Sequence, residues 1–228
     1  MKRFYKTVSI GEDRSILLDG RSVKTPARRP LAVPTQTLAE AIAEEWRAQG
    51  EEIDPRAMPL TGLANAAIDR VAPDPQAFAA TLTPYAETDL LCYRAEEPEE
   101  LVARQAETWD PLLDWARGRY DIAFEVATGI IHRRQHEATI ARLAAALAAR
   151  DPFRLAALSP LVTIGGSLVT ALALAEGRIE AGRAFEATHL DELWQVEQWG
   201  EDTLAADARA ARRRDFEAAA RFLALLDG

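Results

Sequence analysis

Acidic side chains and tryptophans are concentrated between His189 and Asp202, in the run HLDELWQVEQWGED. Asp191, Glu192, Glu197, Glu201 and Asp202 surround Trp194 and Trp199 there. Carboxylates held in pairs can exchange protons with a substrate. The same residues also suit a solvated acidic face whose tryptophans lie in a core. A third reading is a recognition surface, because tryptophan is enriched where partners bind. On a helix, Leu190, Leu193, Trp194 and Glu197 share one side, and Asp191, Gln195 and Gln198 share another. Spacing alone favours core and surface over recognition, and recognition over catalysis.

Other residues with chemical potential point to structure rather than reaction. His132 and His136 have the spacing of helical metal ligands, but Arg133 and Arg134 between them repel a cation. Gly165-Gly166-Ser167 opens an apolar run, and helix N-termini do bind phosphate. No lysine follows it, so a capped helix start is the better reading. Cys92 sits in the apolar run Leu90-Leu91-Cys92-Tyr93 and reads as a small buried hydrophobe. The sequence has no phosphate-binding loop, no dinucleotide fingerprint, no nucleophile elbow and no HExxH pair. No catalytic residue, no metal ligand set and no cofactor are therefore assigned, and no ATP hydrolysis is expected. The net charge of −9 argues against a nucleic-acid binder, which needs a basic face for phosphates.

These residues need a scaffold, and its centre is the stretch from Leu155 to Ala175. It contains no charged residue, although 28% of the chain is charged. Pro160, Gly165 and Gly166 interrupt it and several hydroxyls dilute it, so a buried pair of helices fits better than a membrane span. The expected arrangement is a helix to about Thr163, a break at Gly165-Gly166, then a helix capped by Ser167 and stopped by Gly177. Leu161, Ile164, Leu168, Leu172 and Trp109 are predicted core residues.

The first third reads as strands: Phe4–Ile10, Ser15–Leu18, Arg21–Thr25 and Leu31–Val33, with Asp19-Gly20 as a tight hairpin turn. A helix is predicted from Thr35 or Thr37 through Gln49, others over Leu63–Val71 and Thr83–Tyr93. A helix restart is expected at Asp110-Pro111, and further helices over Gln135–Arg150, Ile179–Trp199 and from Gly200 to about Leu226. The fold class is α+β. A small antiparallel β-rich domain over residues 1–70 holds all the extended strands, and an all-α domain spans 71–228. The N-terminus MKRFYKTVSI lacks a continuous apolar run, and one cysteine excludes an internal disulfide, so a cytoplasmic protein is expected.

Seven phrases occur in order: RFYKTVSI, LDGRSVKTPARRPLAVPT, LAEAIAEEWRAQGEEIDPRAMPLTGLANAAID, TDLLCYRA, WDPLLDWA, GGSLVTALALAEG and WQVEQWGED. Together they resemble the assembly-chaperone family that handles the α subunit of the F(1) ATP synthase head in mitochondria and α-proteobacteria. The resemblance implies a small β-rich domain followed by a larger helical one. It implies binding of the unassembled α subunit until β replaces the chaperone, and no presequence suggests the bacterial form. The family's essential acidic position maps to Asp191 or Glu192, and the tryptophan of its EEW motif to Trp46. The partner-binding set is thus Asp191, Glu192, Gln195, Glu197, Trp199 and Trp46, in a protein expected to be monomeric when free. The competing readings are a small acid–base enzyme and a plain helical adaptor. A strongly raised carboxyl pKa in a closed pocket would favour the enzyme. An exposed Trp199 on a flat acidic face would favour the binder.

Overall fold

The computed structural model describes residues 1–129 and 131–228. Ile130 lies outside the described residues. The chain forms two compact units. The first contains Met1–Phe78, Asp151–Ala157 and Ala218–Gly228, and the second contains Ala79–Arg150 and Leu158–Glu217. A single cut near residue 70 does not describe this organisation, because two later segments return to the first unit.

In the first unit, β1 (Val8–Ile10), β2 (Ile16–Leu18) and β3 (Arg21–Ser22) form an antiparallel sheet in that order. β1 and β2 pair with Val8 opposite Leu18 and Ile10 opposite Ile16. The β2–β3 turn is Asp19-Gly20, with φ of 48° and 76°, so both residues take the left-handed conformation a tight hairpin requires. The Asp19 carboxylate also accepts from the N–H groups of Lys6 and Thr7. Leu31–Val33 is no continuous strand; single bridges join Ala32 to Ser15 and Pro30 to Lys24.

Helix α1 (Gln36–Arg47) begins at Thr35, whose Oγ1 accepts from the Leu38 N–H at 3.3 Å. Its face of Leu38, Ala39, Ile42, Ala43 and Trp46 is buried. Helix α2 (Pro59–Ala66) has no cap of its own. Glu45 of α1 supplies one, accepting from the N–H groups of Leu60 at 2.7 Å and Thr61 at 2.8 Å.

Helix α3 (Pro75–Leu82) contributes residues to both units. The helix predicted over Thr83–Tyr93 is instead α4 (Pro84–Glu87), a 3₁₀ turn over Leu90–Cys92, and a short strand β4 (Tyr93–Arg94). β4 pairs in parallel with β5 (Ala127–Thr128), matching Tyr93 to Ala127 and Arg94 to Thr128. The expectation that all strands lie before residue 70 is therefore corrected: a two-residue parallel pair sits inside the helical part. Helix α5 (Glu99–Tyr120) runs unbroken through Pro111, where a restart was expected. The apolar row of Trp109, Leu112, Leu113 and Ala116 on its buried side outweighs one missing backbone hydrogen bond.

Helix α6 (Glu137–Ala148) precedes α7 (Pro152–Gly165) and α8 (Leu168–Ala175). The Gly165-Gly166 break falls where the sequence puts it. Gly166 has φ of 64°, Ser167 Oγ accepts from the Thr170 N–H at 3.0 Å, and Gly177 stops the run at φ of 68°. Leu168 to Ala173 are buried without exception, so α8 is the hub of the second unit. Leu161 and Trp109 are buried as predicted, but Ile164 is only half-buried, because α7 turns that side outward in its last turn. No helix among the described residues is long and apolar enough to cross a membrane.

Leu168 is fully enclosed, so Leu168→Ala leaves a cavity that its neighbours cannot collapse into. It should cost about 2–5 kcal/mol of stability. An unchanged denaturation midpoint would show that α8 is peripheral.

The last helices are α9 (Ala181–Thr188), α10 (Leu190–Trp199) and α11 (Thr203–Leu226). The single helix predicted over Ile179–Trp199 is split at His189, which has φ of −111° and ψ of 19°.

Candidate functional site

Helix α10 carries five of the six predicted partner-binding residues, and its turns sort them by face. Asp191, Gln195 and Trp199 fall four apart and form one stripe. Trp199 is 78% exposed, which sets it apart from the core tryptophans, and Gln195 is exposed beside it. Asp191 accepts at 2.7 Å from the amide of Gln105, a buried residue whose Oε1 in turn accepts from the Ala95 N–H at 2.8 Å.

Glu192 faces α11. Arg209 meets it at 3.1 Å and Arg212 at 2.6 Å, while Arg209 also pairs with Glu201. Lysine at both Asp191 and Glu192 therefore does not leave the fold untouched. A lysine in place of Glu192 would stand against two arginines in a half-buried contact, where like charges repel. Asp191→Lys is the better single probe.

Glu197 looks the other way and pairs with Arg104 at 2.7 Å, whose guanidinium lies 4.8 Å from the Trp194 ring centroid. Trp194 is buried, as is Trp46 of α1. Trp46 meets the Tyr5 ring edge-on at 5.7 Å, and its carbonyl accepts from the Tyr5 hydroxyl at 2.6 Å. Trp46 therefore belongs to the core of the first unit and is not presented at its surface.

His189, at the start of α10, is buried and stacked on Phe185 at 3.8 Å. Burial holds its imidazole below the usual histidine range, against the pull of the Phe185 carbonyl. Its ring is a packing element, not an exposed base.

Among the described residues, the carboxyl with a large upward shift is Asp89, outside this region. Asp89 is fully enclosed, and burial pushes it from 3.8 up to about 6. Its two oxygens accept from the N–H groups of Leu91 at 3.0 Å and Val169 at 2.9 Å, which oppose that rise. With Ser167 it occupies the N-terminus of α8, the place where a phosphate was considered. Sequence reasoning missed Asp89, Gln105 and the arginine pair of α11, because each partner lies far along the chain.

The two histidines with the spacing of metal ligands are separately engaged. His132 lies 2.9 Å from the Tyr93 hydroxyl and 3.2 Å from Glu87, while His136 lies 3.1 Å from Glu125. No group of three or more His, Cys, Asp or Glu among the described residues is arranged to hold a metal. Burial pushes the Cys92 thiol up, away from thiolate chemistry. What the arrangement of α10 presents is an acidic surface with one exposed tryptophan.

Comparison with known proteins decides which surface protein this is. The ATP12 chaperone protein family model matches residues 2–117. The chain belongs to the ATP12 chaperone family. It is 45% identical to Atp12 from Paracoccus denitrificans, whose crystal structure superposes with a TM-score of 0.93 over 99% of this chain and 98% of that one. An aspartate-to-lysine mutant of the same Paracoccus protein matches with a TM-score of 0.94, at 45% identity over 99% and 97% of the two chains. Mitochondrial atp12 of Schizosaccharomyces pombe is 26% identical over 87% of this chain and 74% of its own length. The higher identity to the Paracoccus protein places this ATP12 chain with the bacterial members. As an ATP12 protein it is a chaperone of F(1) ATP synthase assembly and not an enzyme.

Proposed function

We propose that this ATP12 chaperone works in the cytoplasm as a monomer and captures the unassembled α subunit of F(1), covering the surface that β later takes. The stripe of Asp191, Gln195 and Trp199 is the contact that carries this reading. The observation behind it is Trp199: a large aromatic ring 78% exposed beside carboxylates, with Leu204 equally exposed just beyond the Gly200 break. A single exposed apolar residue needs no explanation, but tryptophan is the residue most enriched at binding hot spots. The chain's net charge of −9 suits a client face carrying the basic groups that serve nucleotide binding. Charge of this kind steers encounter more than it sets final affinity, which fits a placeholder that must leave.

Trp199→Ala should leave the melting temperature unchanged, since exposed substitutions alter stability by about 0.5 kcal/mol or less. It should weaken suppression of α-subunit aggregation by about 30-fold if the ring is a hot spot of about 2 kcal/mol. Asp191→Lys should act mainly on the rate of capture and lose its effect at high salt. Aggregation assays and melting on the same preparations check both. Full suppression by folded Trp199→Ala and Asp191→Lys proteins would remove this surface from consideration.

A further inference from the structure

A second face of α10 borders a cleft of 590 Å³ in the second unit. Leu190, Leu193 and Glu197 line it from α10, three and four residues apart, so this face is distinct from the Asp191–Gln195–Trp199 stripe. The floor is apolar: Leu112 of α5 and Leu190 are buried beneath it, and Ile179 and Leu193 are half-exposed along it. Arg104, Arg178 and Arg183 stand around this floor. Two carboxylates, Glu186 and Glu197, line it as well, so the arginines leave one positive charge in excess.

The arginines are not equally engaged. Arg104 is held by Glu197 at 2.7 Å, and Arg183 by Glu186 at 3.3 Å. Arg178 is exposed, and no carboxylate among the described residues meets its guanidinium. It follows Gly177 at the end of α8, and its backbone N–H closes that helix on the Ala173 carbonyl at 2.8 Å, so its backbone is held at the rim of the cleft. Pro111 also lines the cleft. Having no N–H, it leaves the Glu107 carbonyl, one turn back on the same side of α5, without its helical donor.

We propose that this cleft is a second docking site for the client chain, taking a segment that presents an aliphatic side chain next to a carboxylate. The aliphatic group lies on Leu112, Leu190 and Leu193, and the carboxylate takes the fork of Arg178. This rests on the α-subunit reading above and adds to it the opposite charge. An acidic stripe and a basic cleft on two faces of one helix recognise a client surface of both signs, which fixes orientation where a single charge would not.

The test uses the full chain with free F(1) α subunit. Arg178→Glu lies on the surface and should melt like the unaltered protein, yet need about tenfold more chaperone for half-suppression of α-subunit aggregation. Leu193→Asp should weaken capture in the same direction. A benzophenone on Leu193→Cys should cross-link to one acidic-aliphatic segment of α; Cys92 is buried and stays unlabelled. Wild-type suppression by both charge variants would overturn the cleft while leaving the tryptophan stripe standing. A cross-link to a second copy of this chain would do the same. Failure of the unaltered protein to suppress α-subunit aggregation would overturn both readings.

Discussion

Trp109→Ala will lower the unfolding free energy by about 3–5 kcal/mol, the range for a large buried aromatic cut to a methyl group. The ring is fully enclosed. Its indole N–H donates to the Ala187 carbonyl at 2.7 Å, and the Arg94 guanidinium lies 5.2 Å from its centroid. Ala187 is in the last turn of α9, where carbonyls lack a donor within the helix, so Trp109 satisfies a group the helix leaves open. Two losses therefore add: the cavity and the abandoned carbonyl. Trp109→Phe separates them, because it keeps most of the volume and removes only the donor, at about 1–3 kcal/mol. Denaturant unfolding of both variants gives the split. Equal, small losses would show that neither the volume nor the bond matters.

The second large effect is a pH dependence set by Asp89. Its folded pKa of about 6 lies above the ordinary 3.8, so the folded state holds this proton more tightly than the unfolded chain does. The stability that its protonated form contributes is complete below about 3.8 and is lost as pH rises through about 6. The difference amounts to about 3 kcal/mol. His189 works in the opposite sense: its folded pKa is depressed, so its contribution is lost as pH falls below 6.5.

Asp89→Asn isolates the first of these, since His189 is common to both proteins. The amide can accept from Leu91 or from Val169 but must turn its NH₂ toward the other donor, so the variant is less stable throughout. The gap between wild type and variant should be widest near pH 4 and narrow toward pH 7. A gap that widens with pH would mean that Asp89 is stabilised as a carboxylate, and that amide donation outweighs burial.

Local chemistry was legible in the sequence. The Asp19-Gly20 turn, the Thr35 and Ser167 caps and the Gly177 stop all depend on residues within four positions, and the structure has each of them. What was illegible depends on distance along the chain. Asp89 answers to Val169, Gln105 to Asp191, and Glu45 caps a helix that begins beyond a turn. The β4–β5 pair has two residues per strand, too few for any alternation to show. Pro111 misled for another reason: a local rule predicts a break, and the buried row around Trp109 overrides it. Of the predicted partner set, Trp199 and Gln195 are open to a partner, Asp191, Glu192 and Glu197 are tied to neighbours, and Trp46 is enclosed.

The first unit is closed by residues from the far end of α11. The hydroxyls of Thr35 and Thr37 donate to the Leu225 carbonyl at 2.6 and 2.8 Å, Phe153 stacks on Phe222, and Arg154 pairs with Asp227. On the ribosome these partners are not available together. Thr35 precedes Leu225 by 190 residues, which at about 5–20 residues per second is roughly 10–40 s of elongation. Throughout that interval the nascent β-sheet and α1 are translated but lack their closing strap. An assembly chaperone thus spends its own synthesis incomplete, and slowing translation over the last helix should raise its capture by ribosome-bound chaperones.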